Sequence, residues 1–217
     1  MVNTAIFDMD GTVCNTIDDL ADAVNYALNK LGYPLHSVCE YKYFVGDGIT
    51  NLIYRALPNG KKTDEDVAQA RELMLDFYRV HFADKTVAYD GIINLLKTLK
   101  EKGIHVACCT NKAHHMAMAV SEKLFCGIFE TVIGQSDDRP LKPDPFSVKE
   151  IIEKFGTGAD QTVFIGDSGV DMQTAERAGV TSIGVTWGFR TEEELKQNGA
   201  KYIANAPCDI LKIINNL

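Results

Sequence analysis

Two apolar runs of this chain, Ala5-Ile6-Phe7 and Val163-Phe164-Ile165, each open into a pair of aspartates: Asp8 and Asp10 after the first, Asp167 and Asp171 after the second. Short unbroken apolar runs ask for burial on both faces, the condition of a strand in a parallel sheet covered by helices. Parallel strands end along one edge, and open α/β sheets bind their ligands there. The four acids are therefore expected to converge, and oxygen ligands of that kind suit a hard divalent cation, Mg2+ before others. No His or Cys falls at ligand spacing in either loop, which disfavours zinc.

A third apolar run, Ile104 to Cys109, leads into Thr110, Asn111 and Lys112, and a later connector, Arg139-Pro140-Leu141-Lys142-Pro143-Asp144-Pro145, holds Lys142 between stiffening prolines. In the first loop Gly11 permits close backbone approach and Thr12 adds a hydroxyl, so this segment is expected to wrap a phosphate with its N–H groups. A carboxylate nucleophile, a second carboxylate, a threonine hydroxyl, an ammonium and an acid-bound metal are the parts that move a phosphoryl group through an aspartyl-phosphate.

The segments Asp8-Met9-Asp10-Gly11-Thr12, Thr110-Asn111, Lys142-Pro143 and Gly166-Asp167-Ser168-Gly169-Val170-Asp171 match, in order, the four motifs of the haloacid dehalogenase superfamily. Within it the chain resembles the phosphoglycolate phosphatase branch, through Phe44-Val45-Gly46-Asp47-Gly48 and Thr110-Asn111-Lys112. The resemblance implies that Asp8 is the nucleophile and a metal ligand, and that Asp10 protonates the leaving alcohol and then activates water. It implies that Lys142 neutralises nucleophile and phosphate oxygens, that Thr110 and the Asn111 N–H grip the phosphate, and that Asp167 and Asp171 complete a Mg2+ site with Asp8 and Asp10. Dehalogenase-type members lack an acid at the place of Asp10, so phosphoryl chemistry is favoured.

The implied substrate is a small phosphorylated metabolite, with 2-phosphoglycolate first. A β-phosphoglucomutase-like transferase usually carries an arginine-containing loop where this chain has Val45-Gly46-Asp47-Gly48, while pyrophosphate or nucleotide hydrolysis stays open. A non-enzymatic phosphate-binding protein has against it that every acid the mechanism needs is present.

After the first loop the apolar spacing turns helical: Leu20, Val24, Ala27, Leu28 and Leu31, then Ile49, Leu52, Ile53, Ala56 and Leu57, then Val67, Ala70, Leu73 or Met74, Phe77 and His81. Thr16 and Asp19 read as a capping box. The expected fold is α/β, a Rossmann-like parallel-sheet core of residues 1–15 and 87–217 with an all-helical cap of residues 16–86 inserted after the first strand. The connectors near Cys14-Asn15-Thr16 and Thr86 to Asp90 are expected hinges. In the cap, Lys42, Tyr43, Gly46, Asp47 and Gly48 are placed to meet substrate, Gly46 and Gly48 by offering N–H groups at a helix start. His114, His115 and the Trp187-Gly188-Phe189-Arg190 turn read as packing or surface features.

A net charge of −8 disfavours nucleic acid and anionic membrane as partners. No run is long enough to span a bilayer, and the six cysteines show no C-x-x-C pair, so a cytoplasmic protein with reduced thiols is expected.

Overall fold

Strand β1 (Thr4–Phe7) is buried along its whole length, and the reason is its position. In a computed structural model describing all 217 residues, it lies between β4 (His105–Ala113) and β6 (Thr162–Gly166), parallel to both. Outside these run β5 (Thr131–Gln135), β7 (Thr181–Val185) and β8 (Tyr202–Ala204), giving one parallel six-stranded sheet in the order β5-β4-β1-β6-β7-β8. The strand order reverses at β1, which creates the crevice that open α/β sheets use for ligands.

The period-two alternation of a strand divides the core into two layers. Ala5 and Phe7 pack with α5 (Ile92–Glu101), α6 (His114–Phe125) and α10 (Pro207–Asn215). Ile6 faces the other way, toward α7 (Phe146–Phe155) and α8 (Gly169–Ala178). Register then does the positioning. Phe7 stands level with Cys108 on one side and Ile165 on the other, so Asp8, Thr110 and Asp167 all leave the sheet at nearly the same height. Pairing of β4 with β5 is irregular between Cys109 and Ala113, the stretch that holds Thr110, Asn111 and Lys112.

Four helices, α1 (Ile17–Lys30), α2 (Val38–Phe44), α3 (Ile49–Ala56) and α4 (Asp64–His81), pack round their own apolar centre of Leu20, Val24, Tyr41, Ile53, Ala70 and Met74. The inward stripe of α4 differs from the one expected. It steps through Val67, Ala70, Met74 and Tyr78, a 3-4-4 progression that keeps one face, while Phe77 stacks between Tyr26 and His81 at its flank. The C-terminal α9 (Glu192–Gln197) and α10 were not expected; the former is too short and polar to show an apolar period. No helix is long and apolar enough to cross a membrane.

Both connectors to the helical layer are paired with each other. Cys14–Asn15 (β2) and Val87–Ala88 (β3) form an antiparallel two-stranded ladder. The expected Thr16–Asp19 capping box does not form: the Thr16 hydroxyl is buried without a partner, and Asp19 is drawn to the second connector instead. Its carboxylate, 2% exposed, accepts from Lys85 N at 3.0 Å, Thr86 N at 2.8 Å and Thr86 Oγ1 at 2.6 Å. A capping contact satisfies one donor within the helix, whereas this arrangement satisfies two backbone amides, that of Thr86 buried, and a hydroxyl across the crossing point.

Replacing Asp19 by Ala strands the buried Thr86 amide and leaves the Lys85 amide and the Thr86 hydroxyl without their carboxylate, a buried unpaired donor costing on the order of 1–3 kcal/mol. We expect Asp19→Ala to lower stability by about 3 kcal/mol in urea unfolding. A loss under about 0.5 kcal/mol, the size of an ordinary surface change, would mean that the carboxylate does not brace the crossing.

Candidate active site

At the carboxyl edge of β1 and β6, one carboxylate oxygen from each of Asp8, Asp167 and Asp171 lies within 4.8 Å of the others, and all three residues are buried. Lys142, only 7% exposed, enters from the connector between β5 and α7. Its Nζ is 2.8 Å from Asp8 Oδ1 and 2.7 Å from Asp171 Oδ1. The Asp171 contact is an aligned hydrogen bond. That to Asp8 is an oblique ion pair, which leaves Asp8 Oδ1 buried without a hydrogen-bond donor.

Three carboxylates against one ammonium leave two negative charges uncompensated in a site shielded from water. The cost falls on the ionised forms of the carboxyls. Burial first, then Asp171, push the Asp8 carboxyl up to about 7 against the pull of Lys142. Burial, then Asp171 and Asp8, push Asp167 up to about 8. Burial works against the Lys142 ammonium, but Asp171 and Asp8 outweigh it and hold that group well above the ordinary lysine value.

The donor set fits a divalent cation: hard oxygens, an excess of two charges, and a buried acceptor on Asp8 with no hydrogen bond to satisfy it. The three acids are unequal. Asp171 has both oxygens committed, Oδ1 to Lys142 and Oδ2 to Ser168 N at 3.0 Å and Ser168 Oγ at 2.6 Å, as the third residue of α8 in a capping box. Asp10 stands outside the cluster. Its carboxylate, expected among the metal ligands, is held instead by Lys112 Nζ at 3.0 and 3.3 Å.

Asp167 is held by groups that need close approach. It accepts from Thr12 Oγ1 at 3.1 Å and from Phe189 N at 2.8 Å. A Cβ on Gly11 would lie 2.3 Å from Asp167 Oδ2, and one on Gly188 would lie 2.3 Å from Asp167 Cβ, so only glycine fits on either side of this carboxylate. Gly11 and Thr12 are therefore corrected as phosphate-gripping residues. The Gly11 amide donates to Cys14 O at 2.9 Å, the Thr12 amide to Met9 O at 3.3 Å, and Thr12 is fully buried with its hydroxyl on Asp167. In this loop the amides free of any protein acceptor are those of Met9 and Asp10, two residues earlier than expected.

Thr110 and Asn111 reach the cavity beside Asp8. The Thr110 hydroxyl accepts from Lys112 N at 3.2 Å, leaving its own proton to give. The Asn111 side-chain amide is structural: its Oδ1 accepts from Lys142 N at 2.8 Å, and its Nδ2 donates to Lys142 O and Gly46 O, each at 3.1 Å. Gly46 and Gly48 line the cavity from the helical layer. Lys42, Tyr43 and Asp47 do not; Tyr43 points to solvent and Asp47 pairs with Arg55.

Two contributions escaped the sequence reading. Lys112 bridges Asp10 and the Tyr78 hydroxyl, 2.8 Å away on α4, a partnership between residues 34 apart that no local pattern announces. The Trp187-Gly188-Phe189-Arg190 turn, read as packing, supplies the Phe189 amide to Asp167, and the Arg190 guanidinium binds the carbonyls of Lys42 and Val45 in the helical layer. Its signal was position: it follows β7, whose end lies on the same sheet edge.

Residues 5–185 match the family model described as haloacid dehalogenase-like hydrolase. A phosphoglycolate phosphatase of Mannheimia succiniciproducens is 31% identical, over 96% of this chain and 96% of its own. One of Pseudomonas putida is 33% identical, over 85% of this chain and 69% of its own. The crystal structure of a predicted phosphoglycolate phosphatase from Haemophilus somnus superposes with a TM-score of 0.90 at 26% identity, covering 98% of this chain and 97% of that one.

Because both carboxyls carry folded-state pKa values above their unfolded ones, the metal-free fold prefers them protonated. That stabilisation is whole below their unfolded pKa and is lost as pH rises through the folded values. Relative to Asp167→Asn, the metal-free protein should therefore lose on the order of 2 kcal/mol between about pH 5 and about pH 8. A stability difference that stays level across that range in denaturant titrations would sink this electrostatic account.

Proposed function

Because the chain belongs to the haloacid dehalogenase-like hydrolases and is a phosphatase of a small phosphorylated substrate, we propose that it hydrolyses 2-phosphoglycolate through an aspartyl-phosphate on Asp8. The observation that carries this reading is the meeting of Asp8, Lys142, Asp167 and Asp171 in one buried space, with Asp10 beside it. The substrate is suggested by the relatives named phosphoglycolate phosphatase.

In the first step an Asp8 carboxylate oxygen attacks phosphorus, the bond from phosphorus to the alcohol oxygen breaks, and Asp10 gives its proton to the departing alkoxide. In the second, Asp10 takes a proton from water, the water oxygen attacks phosphorus, and the bond to Asp8 breaks to release inorganic phosphate. Lys142 offsets charge on Asp8 and the phosphoryl oxygens. The free amides of Met9 and Asp10 and the Thr110 hydroxyl are the donors that hold the phosphoryl group. Asp8 and Asp167, with Asp171 in the same cluster, would hold Mg2+, which when bound would supply further neutralisation of phosphoryl charge. Asp171 serves chiefly by orienting Lys142.

Residues 16–86 act in this reading as a cap over the core of residues 1–15 and 87–217, turning on the paired connectors at Cys14–Asn15 and Val87–Ala88. A cytoplasmic setting is supported by six cysteines that are all free.

Phosphate release should be Mg2+-dependent, suppressed by chelator, and highest for 2-phosphoglycolate in a panel with β-glucose 1-phosphate, pyrophosphate and nucleoside monophosphates. Asp8→Asn should reduce kcat by about 10^3-fold or more with the fold retained. Substantial turnover by that variant would remove Asp8 from the mechanism, and a preference for β-glucose 1-phosphate would withdraw the substrate.

A further inference from the structure

The cavity over Asp8 is lined by two cationic side chains, Lys112 and Arg190, and much of its helical side is apolar, formed by Leu20, Val45, Ile49 and Leu52. Arg190 is committed. Its terminal nitrogens bind the carbonyls of Lys42 and Val45, and its Nε lies 3.3 Å from Glu194. Lys142 is pinned between Asp8 and Asp171 and belongs to the phosphoryl end. Lys112 differs from both. It is 6% exposed, has a single anionic partner, Asp10, and its other partner is the neutral Tyr78 hydroxyl.

Distance makes this lysine selective. A leaving oxygen that exchanges a proton with Asp10 must come within about 3 Å of its carboxylate, and Lys112 Nζ is 3.0 Å from the same carboxylate. An anionic group one carbon beyond the leaving oxygen can therefore come within ion-pair reach of Lys112. A carboxylate there would give Lys112 a second anionic partner beside Asp10, which a neutral group cannot do, whereas a carboxylate on the side of Leu20, Val45, Ile49 and Leu52 would face apolar side chains. We propose that Lys112 reads the carboxylate of the substrate, so that the enzyme selects phosphate esters of small α-hydroxy acids over neutral esters of the same size. The inference rests on the phosphatase reading with Asp10 at the leaving oxygen, and adds to it which residue confers the choice of alcohol.

The test compares kcat/KM for 2-phosphoglycolate with that for 2-hydroxyethyl phosphate, which matches it in size and lacks the carboxylate, in the wild type, Lys112→Met, Lys112→Arg and Tyr78→Phe. The wild type should prefer 2-phosphoglycolate by about tenfold or more, Lys112→Met should bring the ratio close to one, and Lys112→Arg should retain much of the preference. Tyr78→Phe should leave the ratio unchanged whatever it does to either rate. If Lys112→Met does not fold, Lys112→Gln takes its place. Equal losses on both esters would show that Lys112 only positions Asp10 and would overturn the inference. A wild type that hydrolyses both esters without preference would overturn it as well, leaving the phosphatase reading intact. Failure to release phosphate from any member of the wider panel would overturn the reading on which it rests.

Discussion

Two uncompensated negative charges, buried at the carboxyl edge of a parallel sheet, are the constraint around which this molecule is arranged. Asp8, Asp167 and Asp171 share that space with one ammonium. A core of apolar side chains could not by itself hold such a group of acids together. What holds them is covalent continuity with strands that are locked in register: Asp8 follows the completely buried β1, and Asp167 follows β6, whose Ile165 carbonyl accepts the Asp8 amide at 2.9 Å. The surroundings show the same demand for fixed position, since Gly11 and Gly188 admit no Cβ beside Asp167 and the Thr12 hydroxyl is spent on it. The stability of the sheet is thus invested in an electrostatic arrangement that favours a proton, a cation or both.

The helical layer meets this site through apolar packing on Met116 and through several polar contacts. Tyr78 reaches Lys112, the Gly46 carbonyl receives the Asn111 amide, and Arg190 grips the end of α2 and the residue after it. Behind them the two connectors pair with each other and are braced by Asp19. The layer is thus held at one edge by a two-stranded ladder and at the other by hydrogen bonds to site residues.

Much of this was legible in the amino-acid sequence because it depends on short-range pattern. The apolar runs before Asp8 and Asp167 marked the strands, and the proline-flanked Lys142 marked a fixed ammonium. The errors concern which partner a polar group finds. Thr16 and Asp19 have capping-box spacing, yet the carboxylate is satisfied better by the amides of Lys85 and Thr86, 66 and 67 residues away. Gly11 and Thr12 have the composition of a phosphate loop, yet their polar groups are turned inward to Cys14, Met9 and Asp167. Asp10 shares a motif with Asp8 but pairs with Lys112. Local sequence specifies where a side chain emerges; the tertiary arrangement decides what it meets.

The central claim is that the buried charge at this edge accepts a phosphoryl group on Asp8. Fluorine NMR of the protein with beryllium fluoride and Mg2+, which together mimic a phosphorylated aspartate, tests it without presuming a substrate. The account predicts bound fluoride resonances in the wild type that vanish with chelator and are absent from Asp8→Asn. Bound resonances that persist in Asp8→Asn, or their absence from a folded wild type, would contradict it.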